Sequence, residues 1–208
     1  MNLVSNSLTD QQAIDTRYAF AVIDPENHVA LSENLNPHLA WSGAPEGTRS
    51  FAVVVHDPDV PSAGDDVNQE GREVPESLPR VDFYHWTLFD IPVDQSSVEE
   101  GAYCSGITPR GKPGPDAGNN LRHGKNDYTG WFAGDADMGG DYFGYDGPCP
   151  PWNDSIIHRY IFTVYALDVE KLPVGEDFSG AGLAELIKAH ALDSASLTGT
   201  YTLNPRLA

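Results

Sequence analysis

Two aspartates stand between prolines, directly after a strongly apolar segment. The motif DPDVP at 57–61 follows the apolar run at 50–56. Each proline fixes its own φ and favours an extended backbone for the residue before it, so the carboxylates of Asp57 and Asp59 are held stiffly. Binding residues are common where a rigid element passes into a loop. The alternative interpretation is a proline-rich turn with solvated acids, which an isolated motif of this kind favours.

A second proline motif, GPCPP, occupies 147–151. Three prolines in five residues predict a rigid loop that does not join a β-ladder. Because proline has no N–H, the remaining amides of Gly147, Cys149 and Trp152 are candidates to face a ligand anion. The alternative is a rigid turn without a ligand.

Two histidines lie in strand-like segments with apolar neighbours. A single histidine on a strand is more often a satisfied core residue, but His85 and His158 form a pair, and His158 follows the proline loop. If both project into one cleft, their imidazoles can donate hydrogen bonds to a phosphate or carboxylate. Tyr160 lies two residues beyond His158 on the same predicted face and adds a hydroxyl.

The segments that must position these residues are mainly β. Apolar, β-branched and aromatic residues predict long strands at 50–56, 82–91 and 158–167, and shorter ones at 18–23, 39–41 and 198–203. In the second strand, a period of two places Phe83, His85, Thr87 and Phe89 on one face.

One helix is predicted near the C-terminus. Leu183, Leu186, Ile187 and His190 follow helical spacing, and Ser179 is a capping candidate. Many strands with one late helix and no βαβ alternation favour an antiparallel sandwich or Greek key, here as a single domain over 1–208.

The stretch 101–147 has no regular pattern and holds twelve of the twenty glycines. A loop of this length is usually functional or disordered. Its aromatic residues need something to pack on, so we expect an ordered loop over the body of the domain. They are Tyr103, Tyr128, Trp131, Phe132, Tyr142, Phe143 and Tyr145.

The charge balance argues against several partners. The 208 residues include 31 acidic and 12 basic side chains, a formal net charge of −19. Nucleic acids and anionic membranes carry the same sign, so neither is an expected partner. The apolar run at 52–55 is far too short to be a membrane helix, which needs about 20 residues. Residues 1–10 lack the basic and apolar parts of a secretory signal, which favours the cytoplasm.

Neither the two cysteines nor the acidic residues predict a metal site or a cofactor. Cys104 and Cys149 lack CxxC spacing, and free thiols are favoured over a disulfide. One further group has ligand-type side chains, although such acids are more often solvated: His123, Asp135, Asp137 and Asp141.

Taken as a set, these motifs resemble the phosphatidylethanolamine-binding protein family, in its bacterial and archaeal Raf-kinase-inhibitor-like branch. The resemblance is carried by DPDVP, by FYHW at 83–86 and by GPCPPWNDSIIHRYIFTVYALD at 147–168. Supporting matches are PHLAWSGAPEGTRSFAVVVHDPD at 37–59, GKNDY at 124–128 and LTGTY at 197–201.

The resemblance implies a large antiparallel sheet packed on a smaller one, with a C-terminal helix. It also implies a shallow pocket for phosphate, phosphorylated head groups or other small anions, and Asp59 is expected to orient a loop rather than touch the ligand. Carried over motif by motif, the ligand-binding residues are Asp57, Pro61, His85, Gly147, Pro148, Pro150, His158 and Tyr160.

Two segments depart from the family pattern. Residues 62–80 form a long acidic connection, and residues 129–144 are glycine-rich and aromatic. Both are interpreted as loop insertions. Because each adjoins a pocket motif, both are expected to reshape the entrance and to change the ligand preference.

The predicted function is non-enzymatic binding of a small anion or phosphorylated head group, with a regulatory or kinase-inhibitor-like role implied by the resemblance. One alternative is a hydrolase that uses the aspartate and histidines as general acid and base. No GxSxG, HExxH or Walker motif supports it. A second alternative is an inhibitor of a partner protein that acts through the outer loops. Relatives sometimes form homodimers, but no exposed apolar helix or strand indicates an interface here.

Overall fold

Three β-sheets form the framework of the protein in a computed structural model that describes residues 1–208. The largest sheet has six strands in the order β2-β11-β10-β6-β7-β9. Its neighbours are antiparallel, except that β2 joins β11 in parallel. The strands are β2 (Gln12–Ala13), β6 (Ser50–Pro61), β7 (Arg80–Pro92), β9 (Arg122–His123), β10 (His158–Leu167) and β11 (Ala191–Tyr201).

A smaller sheet covers one face of the large sheet. It has the order β1-β5-β8, with a separate hairpin formed by β3 and β4. Trp86 and Phe162 of the large sheet share a core with Leu39 and Trp41 of the smaller one. This arrangement confirms the predicted mainly β fold. The strands are β1 (Asn2–Val4), β3 (Ala21–Asp24), β4 (His28–Leu31), β5 (Leu39–Ser42) and β8 (Ser97–Val98).

A helix packs on the opposite face of the large sheet. Helix α2 (Gly180–His190) begins after Ser179, whose hydroxyl accepts a hydrogen bond from the amide of Gly182 at 3.2 Å. Leu183 and Ile187 are buried against the sheet, beside Tyr84 of β7. The predicted helix and its cap are therefore confirmed.

Strand β6 extends further than predicted, through the motif at 57–61. Asp57 pairs with Phe83 and Val60 pairs with Val81, so the residues at 58–59 lie opposite Asp82 alone. This is a β-bulge, in which the missing N–H of Pro58 interrupts no ladder bond. The motif therefore belongs to the strand rather than to a turn after it.

A second bulge places His85. Val55 pairs with Trp86 and His56 pairs with Tyr84, which leaves His85 as the extra residue of β7. The predicted strict alternation was wrong beyond this point. Phe83 and His85 share a side with Trp86, whereas Phe89 packs with α2. A bulge re-aims side chains in this way, and a pattern of period two cannot detect it.

Two other element predictions needed correction. The closing strand β11 begins at Ala191, directly after α2, because its exposed small polar residues carry little apolar signal. The strand expected at 18–23 begins at Ala21, after a 3₁₀ turn over Thr16–Tyr18.

The glycine-rich stretch at 101–147 is ordered, as predicted. It contains β9 and the short helix α1 (Tyr128–Trp131), and it buries Tyr142 and Tyr145 completely. No helix in the structure has both the length and the apolar character needed to cross a membrane.

Candidate ligand-binding site

A cavity of about 260 Å³ lies where β6, β7 and β10 meet the hairpin β3–β4 and the proline loop. Six of the eight ligand-binding residues predicted from the resemblance line it: Asp57, Pro61, His85, Pro150, His158 and Tyr160. The bulges in β6 and β7 bring Asp57 and His85 to the same cavity.

The other two predicted residues, Gly147 and Pro148, lie outside the cavity lining. A Cβ atom at Gly147 would overlap the backbone oxygen of Tyr18. The carbonyl of Pro148 accepts hydrogen bonds from the amides of Phe20 and Ala21, at 2.9 and 3.3 Å. Both residues therefore join the proline loop to the segment that leads into β3.

Both ring nitrogens of His158, a predicted ligand-binding residue, contact carboxylates of the protein. Its Nδ1 donates to Oδ2 of Asp57 at 2.7 Å, and its Nε2 donates to Oδ2 of Asp154 at 3.1 Å. Burial opposes the charged form of the ring, but hydrogen bonds to the two carboxylates raise the pKa of His158 to about 9. The ring is a buried cation at neutral pH, and both nitrogens are occupied by protein partners.

An arginine completes this chain of charges. Arg80 donates to both carboxylate oxygens of Asp154, at 2.6 and 3.0 Å. Asp57, His158, Asp154 and Arg80 therefore alternate in sign and balance to zero. These ion pairs therefore neutralise the negative charge of the Asp57 carboxylate at the cavity.

Asp59 faces away from the cavity and binds Arg159. Its carboxylate accepts from Nε and a terminal nitrogen of Arg159, at 2.9 and 2.7 Å, and from the amide of that residue. Burial raises the pKa of Asp59, but the Arg159 hydrogen bonds outweigh it and hold the pKa below its ordinary value. The expected orienting role of Asp59 agrees with this position.

His85 presents one nitrogen to the cavity. Its Nδ1 lies 2.7 Å from the backbone oxygen of Asp146, while Nε2 has no hydrogen-bond partner in the protein. Burial lowers the pKa of His85 and outweighs the nearby charge of Asp57.

Tyr160 supplies a second polar atom. The residue is 1% exposed, and its hydroxyl makes no well-formed hydrogen bond. Burial and, to a smaller degree, the nearby carboxylate of Asp57 raise its pKa well above the ordinary value. Its ring centroid lies 5.2 Å from that of His85. The neighbouring hydroxyl of Tyr128 differs, since it donates to the carbonyl of Gly147 at 2.7 Å.

The amides of the proline loop are less available than predicted. Gly147 N–H donates to Asn34 Oδ1 at 2.8 Å, and Trp152 N–H donates to Asn68 Oδ1 at 3.0 Å. Of the three amides, Cys149 N–H alone has no partner, and Cys149 lines the cavity. The prediction was wrong for the other two because side-chain amides satisfy them.

Sequence reasoning missed the buried carboxylate that supports His85. Asp146 is 1% exposed and accepts from Asn34 at 2.8 Å, Asn126 at 2.7 Å and Lys112 at 2.7 Å. This network fixes the backbone whose carbonyl holds His85. Two features of the sequence could have identified Asp146: it directly precedes GPCPP, and its partner Asn126 lies in the GKNDY motif.

Both segments interpreted as insertions contribute to the cavity. The acidic segment 62–80 supplies Val67 and Asn68, and the segment 129–144 supplies Trp131 and Phe132. Trp131 is 54% exposed, and Leu31 of β4, which also lines the cavity, is 64% exposed. The cavity thus has polar groups from three strands and a largely apolar wall.

Neither the cysteines nor the acidic candidates form a metal cluster. Cys104 and Cys149 are free thiols, and burial raises their pKa to about 11 and about 12. His123 Nδ1 accepts from the indole of Trp86 at 3.3 Å, and Asp135 accepts amides of its own turn. No group of three or more potential ligand side chains has the geometry to hold a metal ion.

Known proteins resemble this chain over nearly its whole length. A family model described as phosphatidylethanolamine-binding protein matches residues 4–202. The UPF0098 protein YbhB of Escherichia coli K12 is 32% identical over 202 residues, covering 97% of this chain and 100% of that protein. A UPF0098 protein of Methanothermobacter thermautotrophicus is 30% identical over 201 residues, covering 97% and 98%.

A solved structure agrees in fold. The crystal structure of E. coli YbcL, described as a new member of the mammalian PEBP family, superposes with a TM-score of 0.68 at 29% identity. The superposition covers 97% of each chain. The motifs, the fold and these matches agree, and the chain belongs to the phosphatidylethanolamine-binding protein family.

Proposed function

We propose that the protein binds a small anion, such as the phosphorylated head group of a larger molecule, in this cavity and does not transform it. The observation that carries the proposal is the free Nε2 of His85 in the cavity lining, next to the ring of Tyr160, whose hydroxyl makes no well-formed hydrogen bond. An unsatisfied buried polar group costs about 1–3 kcal/mol, so a ligand that donates to Nε2 and accepts from the hydroxyl is stabilised at both atoms.

The local charge is compatible with an anion. Asp57 is the acid that lines the cavity, and His158 compensates it at 2.7 Å. The net charge of −19 opposes an anion at long range, but salt screens such repulsion beyond about 8–10 Å. The hydroxyl of Tyr160 and the amide of Cys149 then act at short range as donors.

The wall of the cavity supports a ligand with an organic part. Thirteen of the 22 lining residues are hydrophobic, among them Phe20, Phe83 and Phe132. Small-molecule sites commonly combine an apolar wall with a few polar groups that fix the orientation. The head group would meet His85 and Tyr160, and the organic part would lie along the aromatic wall.

Binding without turnover is supported by the state of the nearby nucleophiles. Burial raises the pKa of Cys149 to about 12 and that of Tyr160 well above its ordinary value. A thiol and a phenol that stay protonated are weak nucleophiles. A hydrolase is the competing function, because the lone pair on His85 Nε2 is also the feature that a general base requires.

Calorimetric titration of inorganic phosphate and O-phosphorylethanolamine tests the proposal. We expect saturable binding to the wild type and its loss in His85→Ala. His56→Ala is the matched control, since His56 lies on neighbouring β6 outside the cavity lining and packs on Tyr84. Absence of binding to folded wild type would sink the proposal, and His85-dependent release of phosphate would establish the hydrolase instead.

A further inference from the structure

The hydrogen bond from His85 to the backbone fixes the position of its proton. A carbonyl oxygen only accepts, so the 2.7 Å contact with Asp146 requires the proton on Nδ1. The neutral ring therefore presents a lone pair, and not an N–H, to the cavity at Nε2. An anion without a proton meets this lone pair with repulsion, whereas a ligand O–H can donate to it.

The charged groups around His85 set its resting state. On β6, Asp57 faces the ring, but its oxygens accept from His158 at 2.7 Å and from the Asp59 amide at 2.8 Å. On β10, His158 is a cation that opposes a second positive charge nearby. The carboxylate of Asp146 is held by Asn34, Asn126 and Lys112.

The remaining titratable neighbours are uncharged at neutral pH. Tyr160 of β10, Tyr128 of α1 and Cys149 of the proline loop all keep their protons, because burial raises the pKa of each. Burial also lowers the pKa of His85 more than Asp57 and Asp146 raise it. The resting ring is neutral, with its lone pair exposed to the ligand.

Building on the proposed anion binding, we propose that the pocket selects phosphomonoesters, whose monoanion carries an acidic proton, over phosphodiesters and sulfate esters. One P–O–H group donates to Nε2 of His85, and another phosphoryl oxygen accepts from the hydroxyl of Tyr160. A diester or sulfate ester has no such proton, and it binds only when His85 takes one from solvent. The apolar wall contacts the ester group, which favours an ester over the free ion.

The proposal predicts different pH dependences for matched ligands. A phosphomonoester keeps its second proton up to about pH 6, so its affinity is constant below that pH and falls about tenfold per unit above it. Methyl sulfate binds only to protonated His85, whose pKa is lowered. Its affinity therefore falls about tenfold for each pH unit above that pKa, and this fall has already begun below about pH 6. The ratio of the two affinities therefore rises between that pKa and about pH 6 and then becomes constant.

The test is calorimetric titration of methyl phosphate, dimethyl phosphate and methyl sulfate between about pH 5 and about pH 8. Repeating it in buffers of different ionisation enthalpy counts the protons taken up. We expect methyl sulfate to bind wild type with uptake of about one proton near pH 7. In His85→Gln, whose amide donates without titrating, methyl sulfate should bind with constant affinity and the preference for methyl phosphate should disappear.

The results that contradict the selectivity differ from those that contradict anion binding itself. Methyl sulfate binding without proton uptake, or equal pH dependence for the two ligands, overturns the selectivity and leaves anion binding intact. Binding of inorganic phosphate without binding of methyl phosphate overturns the assignment to an ester. Nitrogen NMR of the ligand-free wild type reports the protonation state of His85 Nε2 without any variant. A protonated Nε2 near neutral pH overturns the inference. If no probe binds folded wild type, the proposed function fails as well.

Discussion

Asp57 and His158 form a buried ion pair in which Oδ2 and Nδ1 are 2.7 Å apart. Their side chains are 1% and 0% exposed, and Asp154 binds the other nitrogen of the ring. The pair joins β6 to β10 at the floor of the cavity. Because the two carboxylates keep the ring charged to a higher pH than in the unfolded chain, the pair links the stability of the fold to pH.

Stability is predicted to fall as pH rises from neutral to alkaline. Folding raises the pKa of His158 from an ordinary value of 6.5 to about 9. The stabilisation is therefore fully present below about pH 6.5 and is lost as pH rises through about 9, an effect of about 3 kcal/mol. Urea unfolding at several pH values measures it. His158→Gln should lower stability and remove the slope between about pH 6.5 and about pH 8, below the range in which the buried thiols contribute. An equal slope in both proteins over that range would contradict the assignment.

Asp146→Asn is predicted to destabilise the protein strongly. The carboxylate accepts from two asparagines and forms an ion pair with Lys112 while almost fully buried, so its neutralisation leaves a partly buried ammonium without its counter-charge. The expected loss is about 3 kcal/mol or more. Asp141→Asn is the matched control in the same loop, since Asp141 is 62% exposed and 3.6 Å from Lys125. It should change stability by less than about 0.5 kcal/mol. Similar losses in the two variants would contradict the role given to Asp146.

The sequence predicted the elements that carry a strong apolar signal. Strands β6, β7 and β10 and helix α2 were found because their apolar residues follow a clear period and Ser179 marks the helix start. Strand β11 was only partly predicted, because its exposed positions are occupied by small polar residues. The family resemblance supplied the architecture that periodicity alone does not give.

The local geometry of the site was beyond the sequence. The bulges at 58–59 of β6 and at His85 of β7 depend on how the two strands register against each other, and such pairing leaves no mark in the period of either strand. Partner choice was equally hidden. His158 was expected to bind the ligand, and its contacts with Asp57 and Asp154, which are 101 and 4 residues away in sequence, could not be read from the strand pattern.

Gly147→Ala is predicted to destabilise the fold, because Gly147 lies where the backbone of Tyr18 approaches closely. An added Cβ would overlap the Tyr18 oxygen, and relief requires movement of the loop or of that segment. The expected cost is about 3 kcal/mol. Gly130 of α1 is the control, since nothing lies within 4 Å of its Cβ position. Gly130→Ala should stabilise by about 0.5–1 kcal/mol. Thermal unfolding of both variants measures the difference, and a stable Gly147→Ala protein would contradict this packing.

Tyr160→Phe separates ligand binding from stability. The hydroxyl makes no well-formed hydrogen bond in the protein, so its removal should leave stability nearly unchanged. A ligand that accepts from this hydroxyl loses one hydrogen bond, and its affinity should fall about tenfold. The readouts are urea unfolding and calorimetric titration of O-phosphorylethanolamine.

Tyr145→Phe provides the opposite pattern for comparison. The Tyr145 hydroxyl donates to the Tyr18 carbonyl at 2.6 Å and is fully buried outside the cavity lining. Its removal leaves that carbonyl without the bond, so stability should fall by about 1–2 kcal/mol while affinity stays constant. If Tyr160→Phe instead loses stability and keeps its affinity, its hydroxyl serves the fold through a partner such as water. The ligand would then contact His85 without Tyr160.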